Sequence, residues 1–497
     1  MGVSIMSKTY SESANTLQVY DECDVLVVGG GAAGHSAAVA AARAGCEKVI
    51  IMERYGYFGG DVTGDYVLMV PGLSWRSFSM VRGIQEEWFT RLDKNAPGSY
   101  ISPAIEELGE TAPVKIDRWS MVHGTVAGGR DGESDRYLMR APYYEPNQLK
   151  IEMDLMVQEL PNIKVMLHSW GTKPIMDGDR ICGVIFESKE GRKAVMAKIV
   201  IDATGDGDIY SQTGAPFFTA PATSSSFVYD TALVWRMGGV DFELFGRWSK
   251  DHPEEAASFR AELVKIAGYN TAFFPTERND VVWFNNWLKG LNCIDIQEIK
   301  DTEFRVRNSI RKLIQFCRDY MPAAFRNAYL YDIAPQFGPR NSRRLDGEYV
   351  ITPLDIACAN KHDDVVAWHS IVGMYNGGAP VELPYRSILP KKIENLLCPG
   401  RHFAADERAI SCLYLIPQCI GMGQAAGVAA AVAIKDGTTT HNVDVKRVQK
   451  ILCMDQDVPL PRQENTNPEL VRQLEEYKYG TMTEAAKKER AAAGMDW

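Results

Sequence analysis

The run CDVLVVGGGAAGHSAAVAAARAGCEKVIIMER, residues 23–54, decides the fold. Residues 25–28 are a continuous aliphatic stretch of the kind a strand buried on both faces requires. Gly29, Gly31 and Gly34 follow as G-x-G-x-x-G, and the small residues of 32–44 predict a helix. A second apolar strand, 48–52, ends at Glu53, nineteen residues past Gly34. Strand, glycine loop, helix and strand make a βαβ unit. Its three glycines serve a tight turn, close approach to a pyrophosphate, and close helix–strand packing. The helix N-terminus offers free N–H groups and partial positive charge to phosphates, and Glu53 is placed to accept hydrogen bonds from an adenosine ribose. The unit predicts a dinucleotide site without separating a nicotinamide from a flavin dinucleotide.

The rest of the chain bounds that reading. At 497 residues it is too long for one ordinary core, so two or three structural units are expected. An apolar fraction of 45% and a charged fraction of 24% are those of a globular protein. The net charge of −10 argues against a nucleic-acid partner, which needs clustered Lys and Arg. The ten cysteines include no CxxC pair, so no zinc or iron–sulfur spacing is present and no metal is expected. Free thiols point to a reducing compartment. The N-terminus lacks a secretory pattern, and no apolar run reads as membrane-spanning. The expectation is a cytoplasmic protein without a membrane partner.

Directly after the second strand comes ERYGYFGGDVTG, residues 53–64, with four glycines in twelve positions. Clustered glycines mark places where something approaches the main chain closely. Two later segments extend the site. KIVIDATGDGD, residues 198–208, reads as a buried strand running into Thr204-Gly205, preceded by short strands with turns at Asp177-Gly178 and Glu190-Gly191. From Leu396 a strand ends at Gly400-Arg401, and a glycine-rich loop opens a small-residue helix near Gln424. A second helix N-terminus aimed at a flavin's N1/C2 carbonyl edge would stabilise negative charge on the reduced ring. Read instead as a core helix packed closely on a sheet, the same stretch needs its glycines for packing; the two readings are compatible.

With the phrases VVGGGAAG, ERYGYFGGDVTG, YEPNQLK, VIDATGDGD, APQFGPRNSRRLDGEYVIT, LPYRSILP, NLLCPGR and GMGQAAGVAAA in order over residues 20–460, the chain resembles the FAD-dependent oxidoreductase family. That family belongs to the glutathione-reductase-like superfamily and is distantly related to fumarate reductase flavoproteins. The resemblance implies an α/β fold. Its Rossmann-like FAD-binding domain is discontinuous, a parallel sheet with a β-meander, and it carries an α+β substrate cap. It implies non-covalent FAD held by Gly29, Gly31, Ala32, Ala33, Gly34, Glu53, Arg54, Gly59, Gly60, Asp61, Thr63, Gly171, Thr204, Gly205, Asp206, Gly400, Arg401, Gln424 and Ala425, with Thr63 near the reactive ring. His402 follows Gly400-Arg401 closely enough that a covalent histidyl link is conceivable.

The chain also departs from the family. Where the family reads R-E-S-R-R, residues 340–344 read RNSRR, losing an acid; where it places a His and an Arg in the loop after Gly400-Arg401, this chain has Glu407 and Tyr414. The expected organisation is an FAD domain from 20–70, 145–215 and 390–440, an insertion at 71–144, a cap at 216–389 and a helical tail at 441–497. The insertion carries a helix at 80–92 and a polar glycine run, GTVAGGRDGESDR; the aromatic-rich cap carries a helix near 302–320.

A flavin exchanges hydride at N5, and the protein must manage the accompanying proton. Candidates are Glu407 as base, Tyr414 as hydrogen-bond donor, Arg340 and Arg344 as clamps on a substrate carboxylate or oxyanion, and His402 and His369 as alternative bases. The expected function is hydride transfer between the flavin and a small polar organic substrate at a C–OH, C–N or C=C bond, with an unidentified electron partner and a possible homo-oligomer. A redox-neutral isomerase or lyase, and a non-catalytic flavoprotein subunit of an electron-transfer assembly, are the alternatives.

Overall fold

The computed structural model describes residues 10, 12–70, 72–75, 78–101, 126–127, 137–138, 142–219, 231–370, 380–464 and 466–480. Its central sheet is built from the predicted βαβ unit. Strand Val19–Val28 lies between Val49–Met52 and Gly191–Asp202, parallel to both, and Ile163–Met166 extends the parallel set beyond Val49–Met52. Residues Val25 to Val28 are at most 2% exposed, as expected of a strand covered on both faces. Trp170–Asp177, Arg180–Ser188 and Gly191–Asp202 form an antiparallel meander continuous with that sheet. The predicted turns at Gly178 and Gly191 separate them. Leu396–Leu397 pairs in parallel with the end of Gly191–Asp202 and delivers the chain to Gly400.

Two helices cover one face of this sheet. Ala32–Arg43 is nearly all small residues, and against it runs Ile416–Asp436. The contact is close because side chains are missing where the backbones meet. A Cβ on Gly423 would lie 2.1 Å from the Ala33 carbonyl oxygen, and one on Gly427 2.2 Å from that of Ala37. Ile416–Asp436 is long and apolar enough to cross a membrane by length and composition, which corrects the expectation that no run qualifies; 94% of its most apolar window is buried inside the protein.

A second sheet of four antiparallel strands, in the order Asn270–Pro275, Val281–Trp287, Trp235–Gly238 and Tyr329–Ile333, packs against helices Phe242–Asp251, Pro253–Ala267 and Ile296–Tyr320. Its aromatics make a core: Trp235 stacks on Phe284 at 3.9 Å, and Phe245 packs on Phe259, Phe273 and Phe325. The helix expected near 302–320 begins earlier, at Ile296, where Asp295 caps it through the N–H groups of Gln297 and Glu298. The insertion helix is Ile84–Asn95. The glycine run at 124–136 lies outside the described residues except for Val126–Ala127. Of the tail, Val445–Met454 and Pro468–Gly480 are helical.

The return from the second sheet to the first is joined to it residue by residue. Arg340 donates to Tyr414 Oη at 2.6 Å, Asn341 to the Arg401 carbonyl at 2.8 Å and Ser342 to Asp206 at 2.6 Å. Arg343 pairs with Asp208 at 3.0 Å, and Arg344 donates to the Ala405 carbonyl at 2.9 Å. The RNSRR phrase is thus a seam between the two sheets.

Candidate active site

A cleft lined by the glycine loop, Glu53 and Arg401 runs along the carboxyl ends of the parallel strands. Its floor is the glycine loop. The chain leaves Val28 through Gly29 at a φ of +96°, a conformation open to glycine. Gly34 is fixed by packing, since a Cβ there would sit 1.8 Å from the Gly29 carbonyl oxygen. Gly31 is constrained by neither. Its φ is −66°, and an added Cβ would meet nothing nearer than Gly60 Cα at 3.8 Å. Gly31 lines the cleft, so that carbon would reduce the space in front of the helix Ala32–Arg43. No side chain caps that helix, leaving its first N–H groups to a ligand. This is a phosphate cradle, and it fits a dinucleotide.

One end of the cleft is set by Glu53. Its Oε2 accepts from Gly30 N at 2.6 Å and its Oε1 from Tyr55 N at 2.8 Å. Burial outweighs these bonds and raises its pKa. A carboxylate has about four acceptor positions, so Glu53 can order the glycine loop and still accept ribose hydroxyls. Arg54 lies over Trp170 at 5.5 Å and over Tyr55 at 5.0 Å, and Ser169 and Gly171 close this end.

The far end is polar. Arg401 bridges Asp61 at 3.0 Å and Asp206 at 3.2 Å, and Gln336 donates to Asp61 at 3.3 Å. Burial raises the Asp61 pKa against the pull of Arg401, and the Asp206 charge adds to the rise. Asp206 goes the other way: burial would raise it, but Arg401 and the Ser342 hydroxyl outweigh burial and hold it below the usual carboxylate range. Tyr414, Gly60, Gly400, Ile416 and Cys419 complete the wall. Arg340 stands behind Tyr414, donating to its phenol oxygen and lying 5.9 Å from the Trp287 ring.

The predicted cofactor residues divide into three groups. Gly29, Gly31, Ala32, Ala33, Glu53, Arg54, Gly60, Asp61, Gly171, Thr204, Gly205, Gly400 and Arg401 line the cleft. Gly34, Gly59, Thr63 and Asp206 stand behind the wall. Thr63 does not reach toward a ring, because its hydroxyl is turned inward to the Phe58 carbonyl and is fully buried. Gln424 and Ala425 belong elsewhere. The helix starts at Ile416, eight residues before Gln424, so its first turn, with Ile416 and Cys419, faces the cleft. Gln424 lies two turns deeper, bonded to Gln456 at 2.9 Å.

Of the six catalytic candidates, only Tyr414 lines the cleft. Arg340 touches it through Tyr414, and Arg344 is used at the seam. His402 is buried, its Nε2 on the Asp202 carbonyl at 3.0 Å and its ring against Tyr210. His369 fills the notch at Gly421, where a Cβ would meet its Nε2 at 2.2 Å; burial pushes its pKa down to about 3. Glu407 opens the short helix Glu407–Leu413 behind the Asp406 cap, at a position that suits a carboxylate through the helix dipole. That geometry gives it no place in the wall. Sequence reasoning missed Gln336, Cys419, Ser169, Trp170, Tyr55 and Asp208. Asp208 had a signal in the GDGD repeat; a single glutamine in an irregular segment has none.

A family model described as FAD dependent oxidoreductase matches residues 24–452. A 4-oxocyclohex-2-ene-1-carboxylate 5-dehydrogenase from Sinomonas cyclohexanicum is 36% identical over 99 residues, 19% of this chain and 16% of that one. A digeranylgeranylglycerophospholipid reductase 2 from Methanopyrus kandleri is 26% identical over 226 residues, 45% of this chain and 46% of that one. The matches therefore span less than half the length of these relatives. Among solved structures, a geranylgeranyl bacteriochlorophyll reductase-like protein from Thermoplasma acidophilum aligns over 95% of this chain and 99% of its own at 15% identity and a TM-score of 0.44. At that score it carries no functional argument. The family match covers most of the chain and includes the glycine cradle, Glu53 and Arg401: the protein belongs to the FAD dependent oxidoreductase family, and FAD is its cofactor.

Proposed function

We propose that this enzyme moves a hydride equivalent to or from a small polar organic substrate at a C–OH, C–N or C=C bond, with Tyr414 and Asp61 handling the substrate's oxygen and proton. The observation that carries the reading is the meeting, at one end of the FAD cleft, of the Tyr414 phenol with the Asp61–Arg401 pair. FAD, when bound, supplies the hydride donor or acceptor. The Arg340 guanidinium donates to the phenol oxygen, which leaves the Tyr414 O–H free to donate to a substrate oxygen and to stabilise charge developing there. Asp61 faces the cleft with a pKa raised by burial, which favours a carboxyl that can hold a proton and pass it on. Arg401 supplies fixed positive charge, and the unprotected N-terminus of Ile416–Asp436 adds partial positive charge beside it. The names of the two relatives, a dehydrogenase and a reductase, support a redox reaction over an isomerase or lyase.

We keep the domain boundaries read from the sequence as part of this proposal. The FAD unit comes from 20–70, 145–215 and 390–440, and the cap from 216–389 supplies Gln336 and Arg340. FAD is held without a covalent bond, a reading supported by His402, whose ring is engaged with Asp202 and Tyr210. Anaerobic mixing of the FAD-loaded enzyme with a panel of polar metabolites tests the function. Bleaching of the flavin absorbance by at least one member, with net consumption of an added electron acceptor in steady state, is expected. Conversion of a substrate with no acceptor consumed would establish the redox-neutral alternative instead.

A further inference from the structure

Residues 59–64 form a tight turn, with Val62 N donating to the Gly59 carbonyl and Gly64 N to that of Gly60. The chain folds back here, Val67 N donating to the Asp61 carbonyl, and this keeps Asp65 close enough for the Asp61 charge to act on it. Asp61 lines the cleft. Asp65 is sealed behind it, 3% exposed. Its Oδ2 presses on the backbone of Gly338, where an added Cβ would lie 1.8 Å away. The Val234 backbone N–H donates to it, and its Oδ1 has no hydrogen-bond partner. Among the described residues no cation pairs with it; Arg340, engaged with Tyr414, and Arg401, engaged with Asp61 and Asp206, act on it only at a distance.

A charged carboxylate in that place would forfeit far more solvation than one backbone N–H returns. The neutral acid avoids that loss. We propose that Asp61 and Asp65 form a carboxyl pair holding one proton, Asp65 keeping it away from solvent and Asp61 exchanging with the cleft. The pair rests on the reading that Asp61 faces the substrate. In the step that protonates a substrate anion, an O–H bond of the pair breaks and the new bond forms on the substrate. The two carboxyls are then both charged, and water entering after product release returns the proton; no electrons change hands. Arg401, Gln336 and Asp206 surround Asp61, while Val234, Gly338 and Arg340 face Asp65. Burial raises both carboxyls, Asp65 well above the ordinary range, and the Asp61 charge adds to the rise at Asp65. Two interacting carboxyls titrate as a unit, with values that belong to the pair.

Infrared spectroscopy of the FAD-loaded full-length enzyme at neutral pH tests this. The wild type should show the carbonyl stretch of a protonated carboxylic acid that moves in D2O, disappears in Asp65→Asn and persists in Asp61→Asn. Photoreduction of the flavin should shift that band in the wild type and leave it unmoved in Asp61→Asn, which a purely structural Asp65 would not produce. A band absent from the wild type, or unaltered in Asp65→Asn, overturns the pair. Where Asp65→Asn does not fold, carbon-13 aspartate NMR of the wild type decides: one carboxyl coupled to Asp61 must keep its acid-form shift at neutral pH. Failure of substrate bleaching would remove the proposed reaction and leave the band in place; loss of the band would leave bleaching intact.

Discussion

Two helices point their N-termini at the same cleft and are built for it differently. Ala32–Arg43 is entered through Gly31 and Ile416–Asp436 through Leu415 and Pro417; neither has a side-chain cap or an acid in its first turn. Helices elsewhere in the chain, such as Pro146–Gln158 and Ile296–Tyr320, are capped by Glu145 and Asp295. Ala32–Arg43 therefore keeps its first N–H groups for a ligand; Ile416–Asp436, whose Pro417 has no N–H, keeps those of the other first-turn residues, and both keep the partial positive charge. Their glycines differ in purpose. Gly31 is small because of what lies in the cleft, whereas Gly423 and Gly427 are small because the other helix lies against them. The same residue type serves chemistry in one helix and packing in the other.

Substitution separates the two purposes. Gly423→Val is expected to have the largest effect. It drives a branched side chain into the Ala33 carbonyl at the centre of the helix pair, and loss of cooperative thermal unfolding or of soluble protein is the expected readout. Gly31→Val should leave the fold intact while abolishing FAD retention, because the new side chain meets the cofactor and not the protein. Circular dichroism matched to flavin absorbance checks both. A Gly31→Val protein that stays yellow, or one that unfolds as Gly423→Val does, would remove the distinction.

A smaller effect is expected at the polar end. Tyr414→Phe takes away the proposed donor and keeps the ring, so FAD content should be unchanged while flavin reduction by an identified substrate slows about a hundredfold, the usual scale for a positioned acid–base group. Rapid mixing measures it, and an unaltered rate would remove Tyr414 from the mechanism. Stability should also depend on pH through two buried histidines, His35 within Ala32–Arg43 and His369 against Ile416–Asp436. Burial lowers His35 to about 4 and His369 to about 3. Their folded pKa values lie below the unfolded value of about 6.5, so between those limits the unfolded chain binds more protons and stability falls as pH falls. The His35 contribution reaches roughly 3 kcal/mol near pH 4. His35→Gln should flatten the fall in melting temperature between pH 6.5 and 4; an unchanged slope would show that His35 is not involved.

The phosphate end was legible because its constraints are local. G-x-G-x-x-G, two flanking strands and Glu53 lie within thirty-odd consecutive residues, and each spacing has one physical use. The meander was legible for the same reason, through the turns at Gly178 and Gly191. The polar end is assembled from residues 61, 336, 401 and 414, brought together by packing between two sheets, and no local pattern records that. RNSRR read as a cluster of cations awaiting a substrate; in the fold all five of its side chains are used at the seam, and Arg340 reaches the cleft only through Tyr414. The start of Ile416–Asp436 was misplaced because GMGQAAG looks like a ligand loop. Its glycines are helical and answer to Ala33, Ala37 and His369.

Glu407 tests the comparison at its weakest point. It and Tyr414 were proposed together because both stand where the family has other residues, and the fold separates them. Tyr414 follows the end of Glu407–Leu413 and lines the cleft; Glu407 begins that helix, about two turns away, where the Asp406 carboxylate accepts from Arg408 N at 2.8 Å as the cap. A glutamate in the first turn interacts favourably with the helix dipole whether or not chemistry occurs nearby, an effect worth about 0.3–1 kcal/mol. Glu407→Gln keeps the shape and removes the charge. FAD content should be unchanged, flavin reduction should stay within about twofold of the parent, and stability should fall by at most that dipole contribution. Tyr414→Phe measured beside it supplies the contrast. If Glu407→Gln slowed reduction as much as Tyr414→Phe, the whole short helix would belong to the active site, and the division between cleft-facing and packing residues drawn here would fail at its first turn.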